Sequence, residues 1–457
     1  MEKENILGYE KIPRLIVKFA IPSIVAMLIS SLYNIVDQIF IGQGVGYLGN
    51  AATNVAFPLT SICLAIALLI GVGSAAGFSL KLGAGDKQTA AKYVGNAFIM
   101  AVVAGIIYFF VIQIFARQML WAFGATETVM PYAETYTRIT AVGMPLLVVI
   151  NCMSSLARAD GSPKYSMMCM IIGAVVNTVL DWLFVMKFGW GVAGAAWATV
   201  IGQVFSFLAA VAYLKRFKSI ELTGSSFKII PKICVTVLSL GLSNSLNQIA
   251  IALVQVVLNN SLTHYGALSK YGEDIPLAAA GIVMKVNSIL VSIFVGMSQG
   301  SQPIIGFNYG AGKFARVRKT DVPASAVTVA ISFLGFLMFQ FCPEFLISLF
   351  GTGDALYFEF AVKFMRIFLF MVAVNGVQTI SSNFFSAIGK PLKGAFLSLT
   401  RQVLFLIPLL IIFPIFWGID GIMFTAPVSD TLAFILSISM VLAEFAKMKK
   451  QEKLSQI

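Results

Sequence analysis

The chain has 457 residues, of which 58% are hydrophobic and only 11% charged, and its mean hydropathy is +0.89. A soluble domain is about half apolar and about a quarter charged, so the composition excludes one and predicts a polytopic membrane protein. The formal charge of +12 does not call for nucleic acid, because the basic residues fall in short loops between apolar segments, where membrane topology accounts for them.

Twelve apolar segments follow in chain order, at 14–40, 50–80, 92–116, 131–157, 164–187, 191–214, 232–263, 276–308, 321–343, 358–387, 393–416 and 420–446. Most exceed the roughly 20 residues that cross a bilayer, so tilting or extension beyond it is expected. Proline recurs inside several of them (Pro22, Pro58, Pro145, Pro303, Pro408 and Pro427), and in membrane helices such positions are tolerated and often mark bends. The first stretch is too long and too polar for a cleavable signal peptide and is read as a span. The five cysteines form no CxxC pair and suggest neither disulfides nor a metal site. His264, the single histidine, is expected in a loop.

The amino-terminal segment, the even-numbered loops and the tail hold 24 of the 32 Lys and Arg residues, whereas the odd-numbered loops hold Arg117, Lys187 and Lys270. That asymmetry predicts both termini in the cytoplasm and therefore an even number of spans. The sequence also repeats. Gly83-Ala84-Gly85 returns as Gly310-Ala311-Gly312, and Gly189-Trp190-Gly191-Val192-Ala193-Gly194 returns as Phe416-Trp417-Gly418-Ile419-Asp420-Gly421. Ala159-Asp160-Gly161-Ser162-Pro163 returns, one residue displaced, as Ala387-Ile388-Gly389-Lys390-Pro391. Six spans per half gives both halves one orientation, related by an axis along the membrane normal. The expected fold is all-α: twelve transmembrane helices in two pseudo-symmetric six-helix lobes around a central cleft. Residues 1–213 form the amino-terminal lobe, 214–232 a cytoplasmic linker and 233–457 the carboxy-terminal lobe.

Polar residues at membrane depth are few enough to weigh one by one. In the first half they are Asn34 and Asp37 in span 1, Asn151 in span 4, Asn177 and Asp181 in span 5, and Thr199 and Gln203 in span 6. Asn177 and Asp181 are four apart, and Asn34 and Asp37 three apart, so each pair shares one helix face. An acidic residue at the centre of a membrane helix costs about 2.5–3.5 kcal/mol on insertion scales, which makes it a candidate for function. Carboxylates with an amide carbonyl and a hydroxyl suit a hard cation such as sodium, and a carboxylate pair equally suits a proton. The expectation is that Asp37 and Asp181 meet inside the bundle and bind a cation. The second half does not duplicate this arrangement, since Pro408 or Leu409 stands where Asp181 would repeat. It carries instead Gln255, Asn259, Lys285, Asn375, Gln378, Asn383, Arg401 and Asp430. Lys285 is too deep for easy snorkelling and is expected to face the cleft or a carboxylate; Asp430 is a partner for Arg401 or for Lys285, and the sequence leaves that open.

No GxxxxGK[ST] loop, HExxH motif or paired metal-ligand set occurs, so an ATP motor and a metalloenzyme are not indicated. Three features carry a resemblance: Pro22 leading to Asp37 and Gly42; GVGSAAGFSLKLGAGD from Gly71 to Asp86, with its echo from Gln299 to Ala311; and Arg158-Ala159-Asp160-Gly161 with the NTVLDWLFV stretch. On these the chain resembles the multidrug and toxic compound extrusion (MATE) family over essentially its whole length, in the bacterial MepA-like and DinF-type branch. The resemblance implies a cation site in the amino-terminal lobe at Asp37, Asn177, Asp181 and Thr199, with sodium or a proton as coupling ion, and Asn151 as a further cavity residue. It implies export of organic cations and drugs by antiport with alternating access.

On that reading the substrate cavity is expected to draw on Tyr33, Asn34, Asn151, Met153 and Gln203 from the first lobe. Gln255, Asn259, Lys285, Asn375 and Gln378 are its expected members in the second, and Pro22 offers a hinge. The protein is expected to be no enzyme, to need no cofactor besides the coupling ion, to bind no nucleic acid, and to work as a monomer in a bacterial plasma membrane. The runner-up is a lipid-linked oligosaccharide flippase on the same lobe plan, which calls for a cationic cleft.

Overall fold

The structure is a computed structural model that describes residues 5–349 and 355–454. Lys3, one of the basic residues that set the expected orientation, lies outside the described residues. All regular structure among the described residues is helical. Spans 1 to 9 are the helices Ile12–Val45, Tyr47–Gly83, Lys87–Ala122, Met130–Ala159, Pro163–Asp181, Gly191–Ala212, Pro231–Ala267, Asp274–Gly310 and Phe314–Phe341. Span 10 is a bent pair, Ala355–Phe368 and Val372–Ala387, meeting at 51°. Ten helices are long and apolar enough to cross a membrane, and the last of these, Pro391–Lys453, has 63 residues. Its backbone turns at Gly418 (φ 55°, ψ −141°), so it holds spans 11 and 12. With span 10 the expected twelve are present.

Several helices outrun the bilayer. Spans 1, 2 and 7 have 34, 37 and 37 residues, or on the order of 50–55 Å at about 1.5 Å per residue against a roughly 30 Å apolar core. One consequence corrects the expectation for His264: it sits in the last turn of span 7, edge-on to Tyr265, rather than in a loop. The helices run on through Pro22, Pro58, Pro145 and Pro303.

Span 3 shows why the bundle needs lipid around it. Val103, Ile107, Phe110 and Ile114 are exposed at helical spacing, while Ala101, Gly105, Tyr108 and Ile112 on the opposite face are buried. In water each exposed Ile or Phe forfeits about 1.5–3 kcal/mol of burial, whereas a hydrocarbon surround removes that cost. One apolar core, including Leu59, Phe78, Val148 and Leu156, fills the first half and continues across the seam to Val237, Met297 and Ile304, and a second, including Leu258, Phe294, Phe360 and Phe364, fills the other half.

The internal repeat is visible in the backbone. Left-handed glycines recur in register: Gly46 with Gly272, Gly85 with Gly312, Gly161 with Gly389, and Gly191 with Gly418, all with φ between 55° and 84°. A side chain there is strained, so glycine is what these turns require. The lobes meet along a seam of close helix crossings. A Cβ on Gly73 would lie 2.0 Å from the Val237 carbonyl oxygen, and one on Gly241 would lie 1.8 Å from that of Leu69, so spans 2 and 7 touch backbone to backbone. Spans 1 and 8 do the same at Gly300 against Ala20 and Gly296 against Ile24. The repeat-related Gly83 and Gly310 close the seam reciprocally, against Phe307 and Leu80.

The motif from Gln299 to Ala311 forms much of this seam. Gln302 donates to the Val72 carbonyl at 3.1 Å, and Asn308 donates to the Leu7 carbonyl at 2.9 Å. Arg316 adds bonds to the carbonyls of Leu7 and Glu10, and Lys313 one to Gly8. The short helix Ile6–Tyr9 ahead of span 1 is thereby fastened to the second lobe. Glu452 pairs with Arg318, so the first and last described helical turns lie on one side of the bundle. Asp160, in the turn after span 4, accepts bonds from Tyr213 Oη and from the backbone N–H groups of Lys218 and Ser219, which anchors the start of the inter-lobe connection. Burial pushes its carboxyl above the ordinary range, and those bonds oppose the shift.

Candidate functional site

Asp37 and Asp181 come together inside the first lobe. Both are buried, 8% and 0% exposed, and their carboxyl groups are neighbours. The local sequence explains the meeting. Ile41 and Val185 each follow an aspartate by four residues, and with Val192 and Ala195 they form a small sealed cluster one turn beyond the carboxylates. Gly44 makes room for Val185, since a Cβ there would lie 2.3 Å from its Cγ1. Directly after Asp181 the helix widens into a π turn, Trp182–Lys187, braced by Phe184 stacked on Trp190 at 4.7 Å. Such turns favour functional positions because they re-aim side chains within an otherwise regular helix.

Asn177 and Thr199 complete the group. Spans 5 and 6 approach closely where a Cβ on Gly202 would stand 2.8 Å from the Gly173 carbonyl oxygen and 3.0 Å from Asn177 Cβ. That closeness lets the Asn177 amide donate to Thr199 Oγ1 at 3.3 Å, alongside the Asp181 carboxyl. Asp37 Oδ1, both Asp181 oxygens and Asn177 Oδ1 are buried and accept no hydrogen bond. Buried acceptors without donors are costly, and four of them on three neighbouring residues are the oxygen chemistry that a hard cation takes. No lysine or arginine forms an ion pair with either aspartate among the described residues. Two close carboxylates repel by about 4 kcal/mol at an effective dielectric constant of about 20, so the pocket draws in positive charge.

The MatE family profile matches residues 22–183 and 246–412, once in each lobe. The chain belongs to the MatE family. It is a membrane transporter and not an enzyme. Among curated relatives it is similar to the multidrug export protein MepA of Staphylococcus aureus strain N315, 24% identical over 448 residues that cover 96% of each chain. The MepA of Staphylococcus saprophyticus is likewise 24% identical, over 450 residues. Among solved structures it is similar to the outward-facing conformation of a multidrug resistance MATE family transporter, at 22% identity with a TM-score of 0.91, covering 98% of this chain and 99% of the other. At that identity the likeness speaks for the fold.

Other polar residues of the MatE chain divide between the two lobes. Tyr33 is in the electrostatic neighbourhood of the carboxylate pair, and so is Tyr136 of span 4, which the sequence reading missed. Its signal was slight: a tyrosine with Thr137 and Thr140 in an apolar span. Gln203 packs against Gly143 with its side-chain oxygen unpartnered. Asn34 is exposed and donates to the Ser30 carbonyl, Asn151 donates to that of Leu147, and Met153 is fully buried in the first lobe's apolar core. In the second lobe Gln255 donates to Asn259 at 2.8 Å, Gln378 bridges to the Leu397 carbonyl, Asn375 is half-buried, and Lys285 is exposed. Asp430 pairs with Arg401 rather than with Lys285. A hydroxyl cluster of Ser243, Ser382 and Ser398, also not anticipated, ties spans 7, 10 and 11 together.

Proposed function

We propose that this MatE transporter exports cationic drugs in exchange for inward protons or sodium. The observation that carries the reading is the buried Asp37–Asp181 pair, with three unpartnered carboxylate oxygens, a fourth unpartnered oxygen on Asn177, and no ion pair to a basic residue among the described residues. One pocket of this kind holds one positive charge well and two poorly, so a small cation and a drug compete for it. Competition is what couples two fluxes in opposite directions, provided the site faces one side at a time. Residues 1–213 hold the cation site, 214–232 link the lobes in the cytoplasm, and 233–457 form the second wall of the cleft. Asn177 and Thr199 supply the neutral ligands when sodium is the ion.

Span 1 transmits occupancy. It carries Asp37 into the pocket, and on its other half Ala20 and Ile24 lie in the seam against Gly300 and Gly296. Pro22 sits between those two contacts and has no N–H for the Lys18 carbonyl, which makes it the hinge at which span 1 bends as the seam opens. The Lys/Arg asymmetry sets both termini in the cytoplasm of a bacterial plasma membrane. The protein works as a monomer, because each copy has its own cleft, and needs no cofactor beyond the coupling ion. Dye efflux from proteoliposomes, driven by a pH gradient or a sodium gradient imposed one at a time, tests the reading. Export under neither gradient contradicts it.

A further inference from the structure

Spans 1 and 8 run antiparallel in a readable register. Gly300 faces Ala20, Gly296 faces Ile24, and Ser288 Oγ lies 3.4 Å from Ser31 Oγ. From Gly300 to Gly296 four residues on span 8 match four on span 1, and from Gly296 to Ser288 eight match seven, so the two helices step past each other turn by turn. Continuing by one turn sets Lys285 opposite Asn34. The contact has changed character by then: backbone against backbone at Gly300, side chain against side chain at Ser288, and both Lys285 and Asn34 exposed. Lys285 and Asn34 are thus exposed one turn beyond the Ser31–Ser288 contact between the lobes.

Lys285 has no carboxylate partner among the described residues. It is also not required by the internal repeat, because Pro58 or Phe57 occupies the corresponding place in the first lobe. Ser288 Oγ bonds the Lys285 carbonyl at 2.7 Å, so the backbone is held there while the ammonium is free. Asp37 follows Asn34 by three residues, about 4.5 Å further along span 1. Paired carboxylates thus lie in one lobe close to Asn34 of span 1, and an unpaired ammonium lies on the neighbouring span 8 of the other lobe.

We infer that Lys285 is a specificity-determining residue that receives the anionic group of zwitterionic substrates whose cationic group goes to Asp37 and Asp181. The inference rests on the export reading above. An ammonium facing a partly dehydrated cleft pairs well with a carboxylate, and it repels a pure cation. Zwitterions carrying a carboxylate a few ångströms from an amine or iminium are then the favoured class, and simple monocations are tolerated.

The test uses a zwitterionic xanthene dye with a free carboxylate and its methyl ester, which is a monocation of nearly the same shape. Both are measured for efflux with wild-type protein, Lys285→Gln and Lys285→Arg in proteoliposomes. The expected result is a roughly tenfold loss of efflux for the acid in Lys285→Gln, unchanged or faster efflux of the ester, and recovery of the acid in Lys285→Arg. Equal effects on both dyes, or none on either, overturn the role of Lys285 while leaving the export reading intact. If wild-type protein moves neither dye, the export reading falls and the inference falls with it. The elution profile and melting temperature of each purified variant report its folding, and dye binding to purified protein in detergent repeats the comparison without transport.

Discussion

Asp37 and Asp181 lie side by side within the first lobe, on helices that are distant in sequence, and neither forms an ion pair with a basic residue among the described residues. Two other buried acids look different. Asp430 has the Arg401 guanidinium, and Glu444 has the ammonium groups of both Lys390 and Lys393. Asp321 of span 9 is also buried without an ion pair among the described residues, but it stands alone, so what sets Asp37 and Asp181 apart is that two such carboxylates are neighbours.

Asp37→Asn and Asp181→Asn remove the charge while keeping the shape. Each is expected to reduce dye export by at least roughly tenfold, to the level of cells lacking the protein, with membrane expression unchanged. Efflux assays alongside immunoblots of membrane fractions check this. Neutralising one carboxylate also relieves repulsion, so the variants are expected to be as thermostable as wild type or more so.

The opposite stability result is expected for the Arg401–Asp430 pair. Removing one member strands a buried charge, at about 3–5 kcal/mol. Arg401→Met and Asp430→Asn are each expected to lower the melting temperature in detergent by several degrees, and the double variant Arg401→Met/Asp430→Leu to recover much of it. Equal losses in single and double variants contradict the pairing.

Gly83→Val tests the seam. A Cβ at Gly83 already falls 1.9 Å from the Phe307 carbonyl oxygen, so a branched side chain forces the terminus-bearing end apart. The variant is expected to lose export and to expose residues sealed in the seam. A thiol introduced by Ser79→Cys, a buried position beside Gly306, reports this in a background without native cysteines: its reaction with a water-soluble maleimide is expected to be faster with Gly83→Val than without.

Much of this arrangement could be read from residues alone. Glycines recurring at a fixed offset predicted two like-oriented lobes, and the same glycines hold the left-handed turns of the repeat, as at Gly191 and Gly418. Polar spacing put Asn177 and Asp181 on one face because helical period leaves no alternative. Other features depend on tertiary contact and left little trace. The choice of Arg401 over Lys285 as partner for Asp430 is decided by which faces of spans 8, 11 and 12 meet. Tyr136 looked like one more aromatic in an apolar helix. The π turns at Trp182–Lys187 and Thr400–Leu406 have no composition signature, and His264 was misplaced because hydropathy reports where lipid ends and not where a helix ends.

The most direct measurement is cation competition at the pocket itself. A fluorescent cationic dye is bound to purified protein and titrated separately with sodium and with acid, for wild type, Asp37→Asn and Asp181→Asn. The account predicts that at least one of the two ions displaces the dye from wild type competitively, and that both variants bind the dye weakly and no longer respond to that ion. Dye binding that is indifferent to both ions, or that survives intact in either variant, contradicts the claim that a small cation and a drug compete for one pair of carboxylates.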